Sequence, residues 1–136
     1  MARIVLTNAY VTINSVDVSD HVASVTLNSS IDVVETTAFS STAARTRIGG
    51  LADNSISLEF HQDYASGSIE ATVYPLLGTT TSVVVKPNGT STSATNPSYT
   101  ATVLVSEWTP LSGAVGELAT ASVTWPVSGA ITKATA

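Results

Sequence analysis

Six consecutive residues, Ser55-Ile-Ser-Leu-Glu-Phe60, alternate polar and apolar without exception. That period puts Ile56, Leu58 and Phe60 on one face and Ser55, Ser57 and Glu59 on the other, the pattern of a half-buried β-strand. Upstream, Ile31-Asp-Val-Val-Glu-Thr-Thr37 is rich in β-branched residues, which pack well on a pleated surface. Between the two runs, Ala38 to Asn54 has no clear period, so a long hairpin loop over about 38–54 is expected. It holds Phe39, Arg45, Arg47, Ile48, Gly49, Gly50 and Leu51. Hairpin loops are usually about 2–5 residues, but each doubling of a loop costs only about 0.6 kcal/mol of closure entropy. Length is therefore tolerable. Apolar side chains in such a loop need a cover, and a second copy of the chain is the expected one.

The composition points the same way. Apolar residues make up 43% of the 136-residue chain, while only 11% is charged, against roughly 25% in ordinary soluble domains. Thr, Ser, Val and Ala are the commonest residues, and strand-friendly Val, Thr and Ile with few good helix runs make a single, mainly β domain spanning 1–136 the expectation. Low charge on a large surface favours burial in an assembly. The net charge of −5, with five scattered basic residues, argues against affinity for phosphate backbones. With no cysteine there is no disulfide, thiol nucleophile or cysteine-bound zinc. The sequence contains no signal-peptide core and no stretch near the roughly 20 apolar residues of a membrane span, so a cytoplasmic site of synthesis and no membrane partner are expected.

In chain order, 1–8 reads as a short N-terminal arm, and Ala9–Ile13 and Val16–Val18 as a hairpin about an Asn14-Ser15 turn. Val22–Leu27 reads as a strand ended by a turn at Asn28-Ser-Ser30. Ile69, Val73, Leu76 and Leu77 fall at helical spacing, predicting a short helix over about 66–77 with Ser66 or Ser68 as cap, Glu70 in the first turn and, because of Pro75, a kink or partial break near Tyr74. Thr81–Lys86 is a strand stopped by Pro87-Asn-Gly89, and Thr90–Ser98 is a polar loop. Tyr99–Trp108 and Glu117–Val127 are further strands, Pro126 marking the second as an edge or as a strand end. Residues 129–136 read as a tail. About eight strands and one flanking helix predict a two-sheet β-sandwich or distorted barrel.

Catalytic patterns are scarce. Glu59, His61 and Asp63 would point one way on a single strand and ligate a divalent ion, but the same spacing is the wet face of a half-exposed strand, which is the expected reading. Arg45 and Arg47 fit either a grip on a neighbour's carboxylates or two solvated charges. An anion such as phosphate is a further option for them, with Gly49-Gly50 as a backbone nest or a plain turn. Trp108 and Trp125 are expected in the core. No catalytic residue, cofactor or metal site is expected, and the protein is not expected to be an enzyme.

The segments Asp32-Val-Val-Glu-Thr-Thr-Ala-Phe39, Arg45-Thr-Arg47 through Phe60, and Ser112 to Gly129 resemble the tail tube (major tail) proteins of long, non-contractile-tailed bacteriophages. The expected helix falls where that family has one. The family usually has Gly where this chain has Ser40, and Pro75 departs from its helix. The resemblance implies a structural virion subunit forming hexameric rings that stack into a tube, with the 38–54 loop reaching the adjacent ring. It implies an acidic channel that conducts DNA during ejection without binding it specifically. Implied partners are further copies of the chain, a tape measure protein and a tail terminator, assembled in the host cytoplasm. The alternative is another virion β-protein, such as a capsid decoration or head–tail joining protein. A carbohydrate-binding sandwich or small hydrolase would need exposed Trp or a convergent acid pair.

Overall fold

The computed structural model describes residues 3–39 and 43–136. Eight strands form two antiparallel sheets, as the alternating runs require. They are β1 (Tyr10–Ile13), β2 (Val16–Asp17), β3 (Val22–Glu35), β4 (Arg47–His61), β5 (Thr80–Lys86), β6 (Ser98–Leu104), β7 (Thr120–Pro126) and β8 (Thr132–Ala134). One sheet has the order β2-β1-β5-β6-β8 and the other β3-β4-β7. The two pack as a β-sandwich, without barrel closure. Ile13, Ile56, Phe60, Val83, Val103, Val123 and Trp125 fill the space between them, each at most 3% exposed. Trp108 meets Phe60 edge-on at 5.6 Å between ring centroids, the electrostatically favoured arrangement for two rings.

The expected Asn14-Ser15 turn is present, with both residues at positive φ (51° and 67°), which matches the twist of a tight hairpin. The helix is shorter than predicted. α1 covers Ile69–Val73, and the chain tightens into a 3₁₀ turn over Tyr74–Leu76, because Pro75 cannot donate to an α-helical bond. Ile69 and Val73 are fully buried and Leu76 packs against the core, but Leu77, the last residue of the predicted stripe, is 44% exposed. Ser68 is the N-cap by position, but its hydroxyl donates to Asp63 Oδ2 (2.8 Å). Glu70 accepts from Trp108 Nε1 (2.6 Å) and Gln62 Nε2 (3.1 Å), tying the helix to the core edge.

Several boundaries differ from expectation. No turn occurs at Asn28-Ser-Ser30, because β3 runs through it as one strand of 14 residues. The polar residues there are satisfied across the ladder, Ser29 Oγ donating to Asn54 Oδ1 (2.7 Å) and Ser30 Oγ to the Asp53 carbonyl (2.8 Å). Residues 129–136 are not simply a tail, since β8 pairs with β6 from Ser98↔Ala134 to Thr100↔Thr132. Trp108 lies beyond β6, in a segment running beside the outer edge of β7. The loop before β6 is polar but built around Asn96, only 6% exposed, whose Nδ2 donates to the carbonyls of Asn88, Thr90 and Ser91.

The two edges of the three-stranded sheet are unlike. On β7, the Thr124 N–H donates to Glu107 Oε1 (2.7 Å), the Thr120 N–H to the Ser112 carbonyl (3.3 Å), and Pro126 has no N–H. On β3, no strand among the described residues pairs with the outer edge. A long unpaired edge is a template for another chain.

Candidate assembly surface

The β3–β4 hairpin is the main projection of the structure. Its two strands pair from Val22↔Phe60 out to Glu35↔Arg47. The second half of the expected loop over 38–54 is therefore strand. Arg47 to Asn54 belongs to β4, and the ladder is extended by the Thr36 N–H donating to the Thr46 carbonyl (2.8 Å). Alternation was hidden there because both faces of the outer arm are exposed, so no core selects a period. Ser40, Ser41 and Thr42 of that loop lie outside the described residues, as do Met1 and Ala2 of the expected arm.

The arm leaves the body at Asn54. Its side chain is 4% exposed, accepts from Ser29 and donates from Nδ2 to the Gly129 carbonyl (3.1 Å), while its own carbonyl accepts from the Val127 N–H (2.9 Å). Beyond this root, Ile31, Val33, Val34, Ile48 and Leu51 are exposed by 54%, 70%, 45%, 60% and 79%, and Phe39 near the tip is fully exposed. An apolar area of this kind on a projecting element is unusual for a protein that stays single.

Gly49 and Gly50 form neither a nest nor a turn. They lie in β4, where Ile31↔Ala52 is followed by Val33↔Gly49, so that β4 carries an extra residue and bulges. A Cβ on Gly50 would stand 2.9 Å from Val34 Cγ2, and one on Gly49 3.1 Å from Ile31 Cγ2. The glycines therefore make room for the β-branched residues across the ladder. Arg45 and Arg47 are separated in role. Arg45 Nη1 pairs with Glu35 Oε1 at 2.9 Å within the same hairpin, both side chains largely exposed, whereas Arg47 opens β4. Such an exposed pair contributes about 0.2–1 kcal/mol at most.

Glu59, His61 and Asp63 do not share a strand face. β4 ends at His61, and Asp63 turns to His21, whose Nε2 lies 2.9 Å from Asp63 Oδ2 while its Nδ1 lies 2.8 Å from Asp20 Oδ1. Asp20, then Asp63, raise His21 above the usual imidazole value. The Ala65 N–H and Ser68 hydroxyl, with His21, hold Asp63 below the usual carboxylate value. This cluster joins the 3₁₀ turn Ser19–His21 to the start of α1. It is an internal tie among protein groups, and no group of three or more metal-ligating side chains occurs among the described residues.

The outward face of the three-stranded sheet is the second surface of note. Ser24 and Thr26 on β3, Ser57 and Glu59 on β4, and Ser122 and Thr124 on β7 stand side by side, with Glu107 at the rim. The face is hydroxyl-rich and acidic, and carries no Lys or Arg. Sequence reasoning missed Asn54, although its parity with Ile56, Leu58 and Phe60 marks it as inward-facing. It also missed the exposed Leu111, Val115 and Leu118 as a group.

No family model and no curated protein matches the chain. Solved structures do. A chain of the virion of a native gene transfer agent particle superposes with a TM-score of 0.74 at 12% identity, over 93% of this chain and 95% of that one. A chain from the tail of an empty gene transfer agent particle, refined with C6 symmetry, gives 0.61 at 15% identity over 82% and 81%. A chain of the six-fold symmetrised anti-feeding prophage baseplate gives 0.58 at 8% identity over 99% and 98%. Across nearly its whole length, this chain has the fold of subunits found in virion, tail and baseplate assemblies.

Proposed function

We propose that the chain is a structural, non-enzymatic subunit of a phage-type tail, a single domain that forms six-membered rings stacking into a tube through which DNA leaves the particle. The observation that carries this reading is the apolar β3–β4 arm projecting from a fold shared end to end with virion and tail chains. Phe39, Arg45, Arg47, Ile48, Gly49, Gly50 and Leu51 form its outer part and would contact the next ring. The open β3 edge would pair laterally with a neighbour in the ring, a contact that closes by rotation, while arm contacts repeat along the axis without closing. The cation-free face around Ser57, Glu59 and Thr124 would line the channel. Six copies at a net charge of −5 each carry 30 negative formal charges, and those within a Debye length of roughly 8 Å of the lumen repel DNA and keep it moving. Further tail proteins, such as a tape measure and a terminator, would set length and cap the ends.

The test is negative-stain microscopy and sedimentation of the purified chain. Open-ended tubes of stacked rings are expected. Particles that stay monomeric at high concentration would overturn the reading, and single rings that never stack would move it to a head–tail joining or baseplate ring.

A further inference from the structure

The open edge of β3 borders a cleft between the two sheets. One hollow of about 530 Å³ is lined by Val25, Leu27 and Ser29 of the strand, with Val85, Tyr99 and Ile131 across the sandwich. A second, of about 380 Å³, runs beside the consecutive residues Val22 to Val25. Leu6, Ala9 and Val25 line both, so the hollows form one cleft with Leu6 at its divide. Val22, Val25 and Leu27 pack against the core but are only partly buried, which leaves apolar surface open along this edge.

The segment before β1 is apolar and unpaired. Ile4, Val5 and Leu6 are exposed by 67%, 81% and 58%, and among the described residues no backbone hydrogen bond ties Arg3–Asn8 to the body. Its course over the cleft follows from what it borders. Thr7 lines only the hollow at Val22–Val25, whereas Leu6 lines both. Followed backwards from Thr7, the segment therefore advances toward Ser29, antiparallel to β3. β1 begins at Tyr10, in the opposite sheet. Three residues, Thr7 to Ala9, span up to about 10 Å, the spacing of two packed sheets, so the chain can cross from one sheet to the edge of the other.

We infer that Arg3–Leu6 closes onto β3 as a fourth strand of the three-stranded sheet, Leu6 opposite Val25 and Ile4 opposite Leu27, and so guards the edge of the free chain. Residues directly opposite in an antiparallel ladder share a face. This register, centred where Leu6 already lies, therefore buries Ile4 and Leu6 in the cleft and turns Val5 outward beside Thr26. The tether selects the chain's own segment over that of a second copy, since a short linker holds it at an effective concentration on the order of millimolar. A covered edge no longer offers a template for open-ended pairing. The guarding role rests on the proposed ring, in which the same edge joins a neighbour. One edge cannot pair twice, and Arg3–Leu6 covers only part of a strand of 14 residues. A neighbour that pairs along more of β3 displaces the segment as the ring closes.

The chain has no cysteine, so paired substitutions report the closure directly. Ile4 borders neither hollow as the segment stands. Ile4→Cys with Leu27→Cys, oxidised in dilute solution, is expected to give an intramolecular disulfide, because opposite Cβ atoms of a ladder come within its reach. Val5→Cys with Leu27→Cys has the wrong parity and should give several-fold less. The oxidised, locked 4–27 chain should stay monomeric at concentrations where the reduced one forms rings and tubes. Ile4→Asp with Leu6→Asp should free the edge and lower the concentration needed for assembly several-fold. Tubes from the reduced chain, with no 4–27 disulfide at any dilution, overturn the closure and leave the tail reading standing. Disulfide-linked oligomers in place of locked monomers, or a doubly acidic variant that needs more protein to assemble, give the segment to a neighbouring copy and also overturn it. A locked chain that assembles as readily as the reduced one overturns the guarding role. A chain that locks on oxidation yet never assembles when reduced supports the closure and overturns the ring reading.

Discussion

Replacing Asn54 with Ala tests whether the arm is anchored as its geometry indicates. The substitution removes two side-chain hydrogen bonds, from Ser29 Oγ (2.7 Å) and to the Gly129 carbonyl (3.1 Å), at a site 4% exposed. A net hydrogen bond contributes about 0.5–1.5 kcal/mol, so the pair contributes roughly 1–3 kcal/mol. Ser29 and Gly129 are themselves exposed, so water can replace the lost partner, which favours the lower half of that range. The small void left by the amide adds to it. The expected loss is about 2 kcal/mol, or roughly 5–8 °C in Tm for a chain of this size. Urea unfolding followed by tryptophan fluorescence should show a lower midpoint with an unchanged slope. Ser29→Ala alone should cost about 1 kcal/mol, and the double mutant should show a coupling of at least about 0.5 kcal/mol. Asn54→Ala within about 0.5 kcal/mol of wild type, or strict additivity with Ser29→Ala, would refute the anchoring argument.

Four further outcomes follow from the same contacts. The folded-state pKa of His21 is raised by Asp20 and Asp63, so its contribution is complete below the ordinary value of 6.5 and is lost as pH rises through the higher folded value. Asp63 acts in reverse, its contribution lost as pH falls below the ordinary 3.8; His21→Asn should therefore flatten the alkaline limb of a stability–pH profile, and an unchanged limb would sink the assignment. Glu70→Leu leaves Trp108 Nε1 without its acceptor and Gln62 Nε2 with only the Pro110 carbonyl, and should cost about 1.5–3 kcal/mol in urea, while Glu70→Gln should recover most of it. Gly50→Val drives a side chain into Val34 and Asp32, so tube formation should fail while the unfolding midpoint of the body moves by less than about 1 kcal/mol; tubes of normal length would contradict the role of the bulge. Glu59→Lys places a cation on the proposed lumen face, and particles carrying it should eject DNA more slowly in a dye-release assay, whereas unaltered kinetics would remove that face from the channel.

The strands facing the core were legible because burial on one side imposes a period of two. Ile56, Leu58 and Phe60 were placed correctly by alternation alone, Trp125 lies in the core as expected, and Pro75 marked where α1 would break. Outside the core that signal fades. Asn28–Ser30 looked like a turn and Gly49-Gly50-Leu51 like a loop, yet both are strand, since their conformation is set by the partner strand across the ladder. Local sequence thus determined which residues are extended and which face is apolar. Only the tertiary structure decided that β3 has an open edge while Glu107 and Pro126 block that of β7, and that Asn54 roots a projecting arm. It also brought Tyr99 and Lys133, far apart in the chain, side by side across the ladder. Pairings of that kind join residues tens of positions apart, and no local period encodes them.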